Sequence, residues 1–236
     1  VKEALIASIF GLSAIVDVYV LTLLMATYFV NPIAGSISTP LTVSLRRFEK
    51  SGKHWAQTVI VTKTMSFCLL IMIVIALLSG VASANFSNFE QFFQSENVKI
   101  AGLHKYMLLI GLFSAFAILA DSVLAAQSRF GLQSSIKLCV PFTIILSCFF
   151  APTNFLIEAL FIGTIVGYFI ESLASAICIR RLLTLPTIHN IFRFDFEFNQ
   201  LLRQWPALAA SGLVMSACLV VDQTMAVLAG EGAVAV

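Results

Sequence analysis

At 236 residues, with 59% hydrophobic and only 11% charged side chains and a mean hydropathy of +0.98, the chain carries too little charge to cover a soluble surface. A water-soluble domain has about a quarter of its residues charged, so a cytosolic enzyme, a nucleic-acid binder and a disordered tail are all disfavoured and a bilayer protein is implied. The net charge of +2 decides nothing, whereas the placement of the fourteen Lys and Arg does, because their distribution among loops sets orientation.

In chain order, residues 2–10 read as the latter half of a helix, closed by Gly11 and Ser13. Residues 14–45 begin apolar (IVDVYVLTLLMATYFV) and run into Asn31, Pro32, Gly35, Ser36, Ser38, Thr39 and Pro40, which predicts a helix broken near its middle with Asn31, Pro32 and Gly35 as the hinge. In hydrocarbon each open backbone group costs several kcal/mol, so such a break survives only against other protein or a water-filled cavity. A simple packing kink is the plainer alternative.

Five further stretches meet or approach the roughly 20 apolar residues that cross about 30 Å of hydrocarbon. Residues 64–82 carry no charge, and Lys63 is expected to snorkel from their start. Residues 106–127 hold Asp121; residues 134–150 hold Lys137 and Pro141 in their first turns. Residues 155–179 contain Glu158 and Glu171, and residues 206–229 open at Trp205 and Pro206 and contain Asp222. The sum is six spans and a stub. Before the last span, residues 184–204 look soluble: Phe192, Phe194, Phe196 and Phe198 alternate with Arg193, Asp195 and Glu197, a period of two that predicts a short extended strand anchored along the membrane surface.

The basic residues test this count. Arg46, Arg47, Lys50, Lys53 and Lys63 follow the broken helix, Arg129 and Lys137 follow the Asp121 span, and Arg180, Arg181, Arg193 and Arg203 follow the Glu171 span. The intervening connections hold only Lys99 and Lys105. The positive-inside rule makes the first set cytoplasmic, and an error of one span would have scrambled the alternation.

Chemistry is scarce. Cys68, Cys139, Cys148, Cys178 and Cys218 stand singly in apolar runs and read as small hydrophobes rather than as metal ligands or a disulfide framework. His54, His104 and His189 sit at span edges or in loops without partners. H-E-x-x-H, G-x-S-x-G, Walker-type and G-x-G-x-x-G motifs are missing, so no enzyme and no cofactor is expected, and transport would draw on an ion gradient or membrane potential. Charges inside spans cost about 2.5–3.5 kcal/mol each and face the bundle interior or an aqueous cavity. They are Asp17, Asp121, Glu171 and Asp222, while Glu158 lies one turn inside its span, within reach of the interface.

Each of the four acids shares a face with small residues. Gly163, Gly167, Glu171 and Ser175 recur every four positions, a G-x-x-x-G contact face with an acid set into it. Asp121 shares its side with Ser114, Ala117, Ala125 and Ser128, and Asp222 follows Ala207, Ser211, Gly212 and Ser216. The acids are candidates for ion coupling around a wet cavity, with interhelical hydrogen bonding alone as the structural alternative.

The order of motifs resembles the MurJ/MviN lipid II flippases. KEALIASIFGLSAIVDVY is similar to that family's first signature, with Lys2, Glu3, Phe10, Gly11, Asp17 and Tyr19 at its positions. NPIAGSISTPLTVSLRRFEKSG looks like the Gly-x-x-Ser segment closing the second helix, LAAQSRFGLQSSIKLCVPFTI like the fourth-to-fifth helix connection with its Arg-Phe pair at Arg129 and Phe130, and WPALAASGLVMSACLVVDQTMAVLAGEGAVAV like the seventh helix. One departure stands out: the family's Arg pair late in the second helix is replaced by TYFVNP, with Phe29 and Val30 at those positions.

The resemblance implies an all-α polytopic helix bundle, the N-terminal lobe of a transporter in the multidrug/oligosaccharidyl-lipid/polysaccharide exporter superfamily. Residues 1–183 would form that lobe, 184–204 a cytoplasmic or interfacial linker, and 205–236 the helix leading to a second lobe. Val1 and the apolar run ending at Val236 do not read as natural termini, so a piece of a longer protein is expected. The implied activity is flipping an undecaprenyl-diphosphate-linked glycan, lipid II or an exopolysaccharide or capsule unit, across the bacterial inner membrane by alternating access. Lys2 would hold the diphosphate and Asp17 would be a cavity carboxylate.

At the cytoplasmic mouth Arg46, Arg47, Arg129, Arg180 and Arg181 would gather the anionic headgroup. Partners would be the lipid-linked glycan and membrane lipids, with no nucleic acid and a monomeric transporter. Two alternatives stand beside this: a cation-coupled multidrug exporter of the same superfamily using Asp17, Asp121, Glu171 and Asp222, and a membrane scaffold without an aqueous cavity.

Overall fold

The computed structural model describes residues 14–52, 54–81, 103–151, 156–182 and 196–229. The stub expected over residues 2–10 lies outside them. The elements are α1 (Ala14–Val30), a π-helical turn (Asn31–Gly35), α2 (Ser36–Lys50), α3 (His54–Val81), α4 (Leu103–Ala126), α5 (Phe130–Lys137), α6 (Cys139–Phe150), α7 (Leu156–Leu182) and α8 (Phe196–Ala229). Every described element is helical, and five stretches are long and apolar enough to cross a membrane: Trp55–Ile75, Leu108–Ala126, Phe130–Phe150, Glu158–Arg181 and Phe198–Asp222. Each overlaps one of the five uninterrupted spans expected from the sequence, with the first and last beginning eight or nine residues earlier, and the chain is an all-α, multi-pass membrane bundle.

The strand expected across residues 184–204 is not formed where the chain is described. From Phe196 onward the backbone is helical, and α8 runs unbroken through Trp205 and Pro206. Phe198 packs edge-on to Phe67 of α3 at 6.4 Å, and Leu201 is buried in the core. Helical packing against α3 thus overrides the local period-two pattern.

The broken helix is also corrected. At both joints of the π turn the backbone stays right-handed helical, Val30 at φ −67°, ψ −47° and Ser36 at φ −66°, ψ −28°, so residues 14–50 form one rod, roughly 55 Å long at 1.5 Å per residue. Pro32 has no N–H to donate and would crowd the carbonyl four residues back; widening one turn to the π spacing relieves that crowding without opening the rod. Hydroxyls of Thr27, Ser36, Ser38 and Thr42 bond back to carbonyls in the preceding turn, including Ser38 to Gly35 at 2.6 Å and Thr42 to Ser38 at 2.9 Å.

Two buried clusters hold the bundle together. The larger joins the π turn and α2 (Ile33, Ile37, Leu41, Leu45) to α3 (Ile60, Cys68, Met72) and α4 (Ala115, Leu119, Val123). The smaller joins α1 (Tyr19, Ala26) to Ile110, Ile144, Leu160 and Phe161. There the Thr164 hydroxyl donates to the Leu160 carbonyl, so Tyr19 donates its own hydroxyl to Thr164, at 2.8 Å. Large apolar side chains on α6 (Phe142, Phe149, Phe150) and α8 (Val214, Met215, Met225) stay exposed, as expected of surfaces that meet lipid or further protein.

The G-x-x-x-G face forms as expected. A Cβ on Gly163 would lie 3.1 Å from the Ile144 Cα, and one on Gly167 would lie 2.9 Å from the Val140 Cα, so the two glycines set the close antiparallel approach of α6 and α7.

Candidate functional site

Continuing that glycine stripe places Glu171 and Ser175 on the inner side of α7, where they are 4% and 0% exposed. Asp121 projects from α4 toward the same junction, and Lys137, the last residue of α5, meets it with Nζ 2.6 Å from Oδ2. Glu171 lies within electrostatic reach of both. The second Asp121 oxygen, Oδ1, and the Ser175 hydroxyl are buried without hydrogen-bond partners, while the adjacent Ser172 hydroxyl donates to the Phe113 carbonyl at 3.0 Å. Two of the acids singled out in the sequence are therefore brought together across three helices, and a lysine counted as a loop cation completes the group.

The setting of this group differs from the expected wet cavity. Gly163 and Gly167 draw α7 so close to α6 that Glu171 is packed between helices, and Lys137 is the half-exposed member, its side chain 53% accessible. Asp222 does not join it: it is exposed on α8. Asp17 lies on α1, with its side chain outside the described set, and Lys2 lies outside the described residues altogether.

Lys63 departs from expectation as well. It is not at a helix start, because α3 begins at His54, and it is buried at 8% exposure with Nζ 5.9 Å from the Phe198 ring centroid. Sequence reasoning missed Lys63 as a buried cation and Lys137 as the partner of a span acid because both border apolar runs and were counted with the loops. A lysine within reach of an acid on a neighbouring span was the available signal for the second.

The hinge residues pack rather than open. Pro32, Ile33 and Ala34 are buried. Gly212 of α8 lets that helix approach them, since a Cβ there would sit 3.0 Å from the Pro32 Cα. Trp205 Nε1 donates to the Ile33 carbonyl at 3.3 Å. A carbonyl loosened by the π turn is thereby satisfied by a side chain from another helix.

The basic residues gather at one end. Arg46 Nη2 donates to the Ala125 carbonyl at 3.2 Å, tying the end of α2 to the end of α4, where Ser128 (φ 57°) and Arg129 turn the chain into α5. The backbone N–H groups of Ser128 and Arg129 donate to Ala125 and Leu124, a Schellman-type stop. Arg46 is thus committed in part to capping α4, while Arg129 is exposed at the turn. Arg47 lines a cleft of about 300 Å³ between α2 and the start of α8, together with Thr39, Ser44, Gln200 and Gln204 over an apolar floor of Phe48 and Leu201. One guanidinium among amide and hydroxyl donors is a surface suited to an oxyanion with polar substituents. Gln200 and Gln204 were not singled out from the sequence because they fell in the stretch expected to be an interfacial linker.

The five cysteines are free thiols, and among the described residues no group of three or more His, Cys, Asp or Glu could hold a metal ion. Comparison with curated proteins and with solved structures returned no match. The family described as Lipid II flippase MurJ matches residues 6–236. With nearly the whole chain covered, and the helical bundle, the in-span acids and the basic end on the same residues, the chain belongs to the lipid II flippase MurJ family.

Proposed function

We propose that this protein flips an undecaprenyl-diphosphate-linked glycan across the bacterial inner membrane, collecting the headgroup at the cytoplasmic, basic end of the bundle. The observation that carries the reading is the cleft between α2 and α8, where Arg47, Gln200 and Gln204 converge at that end. A diphosphate presents oxygens for the guanidinium, and the attached sugars present hydroxyls for the amides. Arg46, Arg129, Arg180 and Arg181 raise the local anion concentration around the mouth. Lys2 and Asp17 would act further inside, as the family resemblance implies.

Residues 1–183 serve in this reading as one lobe, and α8 leads to a second. Only one side of α8 is buried, at Leu201, Ala209 and Ser216, while Val214, Met215 and Met225 face outward, which suits a helix shared between two lobes. Rocking about the contact between α8 and the π turn would supply alternating access. The multidrug-exporter alternative finds less support, since Asp121 is paired with Lys137 and Asp222 lies away from the other acids.

The test is a vesicle assay of lipid-linked glycan translocation. Arg47→Gln should slow flipping at least tenfold at low lipid concentration and be partly rescued at high concentration, whereas Arg47→Lys should retain more. An Arg47→Gln protein that flips at the wild-type rate would reject the cleft as the collecting site. Comparing lipid II with lipid-linked capsule or exopolysaccharide units in the same vesicles identifies the glycan.

A further inference from the structure

Helices α3 and α7 both pack on α4 but barely on each other, and between them runs an apolar groove of about 230 Å³. Its floor is Met72, Phe116 and Leu119, and its walls are Leu69 on α3 and Phe169 and Leu173 on α7. The three wall residues are 44–48% exposed, so the groove is open along its side. Phe169 is held by an edge-on contact with Phe113, ring centroids 5.3 Å apart. A more open hollow of about 460 Å³ shares Met65, Leu69 and Phe116 with the groove and carries the apolar surface on over α3. The groove offers little to a hydrophilic ligand: the Ser172 hydroxyl is already given to the Phe113 carbonyl, and Cys68 is a buried thiol.

The spans that line the groove fix its depth in the membrane. At 1.5 Å per residue, Phe169 and Ala176 lie about 18 and 8 Å from the end of their span at Arg181. One leaflet holds about 15 Å of hydrocarbon, so the groove falls mainly in the leaflet next to the basic end of the bundle. Phe169, Leu173, Ala176 and Arg180 follow at spacings of four, three and four along one face of α7, which sets an exposed guanidinium one turn beyond the groove. On α3, Phe67 meets Trp205 of α8, whereas Leu69, about 200° further round the helix, lines the groove. The groove therefore opens away from α8, toward lipid.

We propose that the groove and its neighbouring hollow hold the two acyl chains of an anionic phospholipid of the cytoplasmic leaflet, with its phosphate on Arg180. Two apolar hollows sharing the Leu69 ridge match two chains that leave a single headgroup. The guanidinium supplies paired donors for phosphate oxygens, and a basic side chain at a membrane surface favours anionic over neutral lipid. Met65 and Met72, unbranched and adaptable, let the lining follow a flexible chain. A lipid lodged there fills the flank where α3 and α7 do not meet. It is a resident of the bundle and not its cargo, so the proposal stands apart from glycan flipping.

The experiment is native mass spectrometry of the detergent-purified protein titrated with phosphatidylglycerol, with diacylglycerol of the same acyl chains, and with undecaprenyl phosphate. Phosphatidylglycerol should bind about fivefold more tightly than diacylglycerol, the worth of one basic side chain at a membrane surface. Ala176→Phe, which puts a ring into the groove, should weaken both lipids by about tenfold or more. Arg180→Gln should lower phosphatidylglycerol to the affinity of diacylglycerol, and Arg180→Lys should keep most of the preference.

Val214→Trp, a bulky change on the exposed face of α8, should bind both lipids as the wild type does. Should Ala176→Phe fail to fold, Leu173→Trp takes its place, since Leu173 is on the open wall. The proposal is overturned if the groove-filling variant binds phosphatidylglycerol like the wild type, or if Arg180→Gln keeps the preference over diacylglycerol. It is equally overturned if undecaprenyl phosphate displaces phosphatidylglycerol from the wild type at a lower concentration, which would make the groove a seat for the tail of the cargo.

Discussion

The indole N–H of Trp205 reaches across from α8 to the carbonyl of Ile33 at 3.3 Å, binding that helix to the widened turn of the first rod. The same indole packs edge-on to Phe67 of α3, with ring centroids 5.4 Å apart, so one side chain ties three helices. Replacing it by Phe keeps the ring and removes the donor. Trp205→Phe is expected to cost about 0.5–1.5 kcal/mol, the usual net worth of one hydrogen bond. Thermal unfolding measures the loss, and protection of the π-turn amides in hydrogen exchange should fall more than that of α7.

Close approach of α6 and α7 makes a second prediction. Gly167→Ala places a methyl 2.9 Å from the Val140 Cα, a backbone atom that cannot move aside cheaply. The expected cost is about 1–3 kcal/mol, typical of overpacking. Gly131 on α5 has nothing within 4 Å of a built Cβ, so Gly131→Ala should be neutral or stabilising by less than about 1 kcal/mol. Equal unfolding temperatures for the two variants would contradict the assignment of Gly167 to a contact.

The turn between α4 and α5 offers a stabilising change. Ser128 holds φ at 57°, a conformation in which a Cβ is strained and glycine is not. Because the residue is exposed and serves as the stop of α4, Ser128→Gly should raise stability by about 0.5–1 kcal/mol, and Ser128→Val should lower it by at least as much. The pair of melting temperatures checks the sign of both.

The ion pair of Asp121 and Lys137 can be weighed by a double-mutant cycle. Removing Lys137 alone leaves a nearly buried carboxylate without its cation. The cost for a fully buried pair is about 3–5 kcal/mol, and the half-exposed lysine reduces it here to about 1–3. Replacing both residues with leucine should cost less than either single change, since no orphaned charge remains. A coupling energy near zero in unfolding experiments would show the contact to be incidental.

Much of this molecule could be read along the chain. The spans were legible because a bilayer demands a long apolar run at each crossing, a requirement met within one segment at a time. The stripe of Gly163, Gly167, Glu171 and Ser175 was legible for a related reason: a spacing of four lines up one helical face, and small residues on that face have few uses other than close contact. The alternation of Phe196 and Phe198 misled, because two aromatics two apart are equally compatible with a helix that packs one of them on Phe67.

By itself, then, the sequence determined what is local: an all-helical membrane class, the span positions, the basic end, and a family signature carried by short motifs. Only the tertiary structure decided that Lys137 neutralises Asp121, that Lys63 is buried beside Phe198, that Asp222 stays outside, and that the suspected break is a π turn closed over by Trp205 and Gly212. Each of these depends on which face of one helix meets which face of another. That pairing is set by the packing of the whole bundle, and spacing along the chain does not encode it.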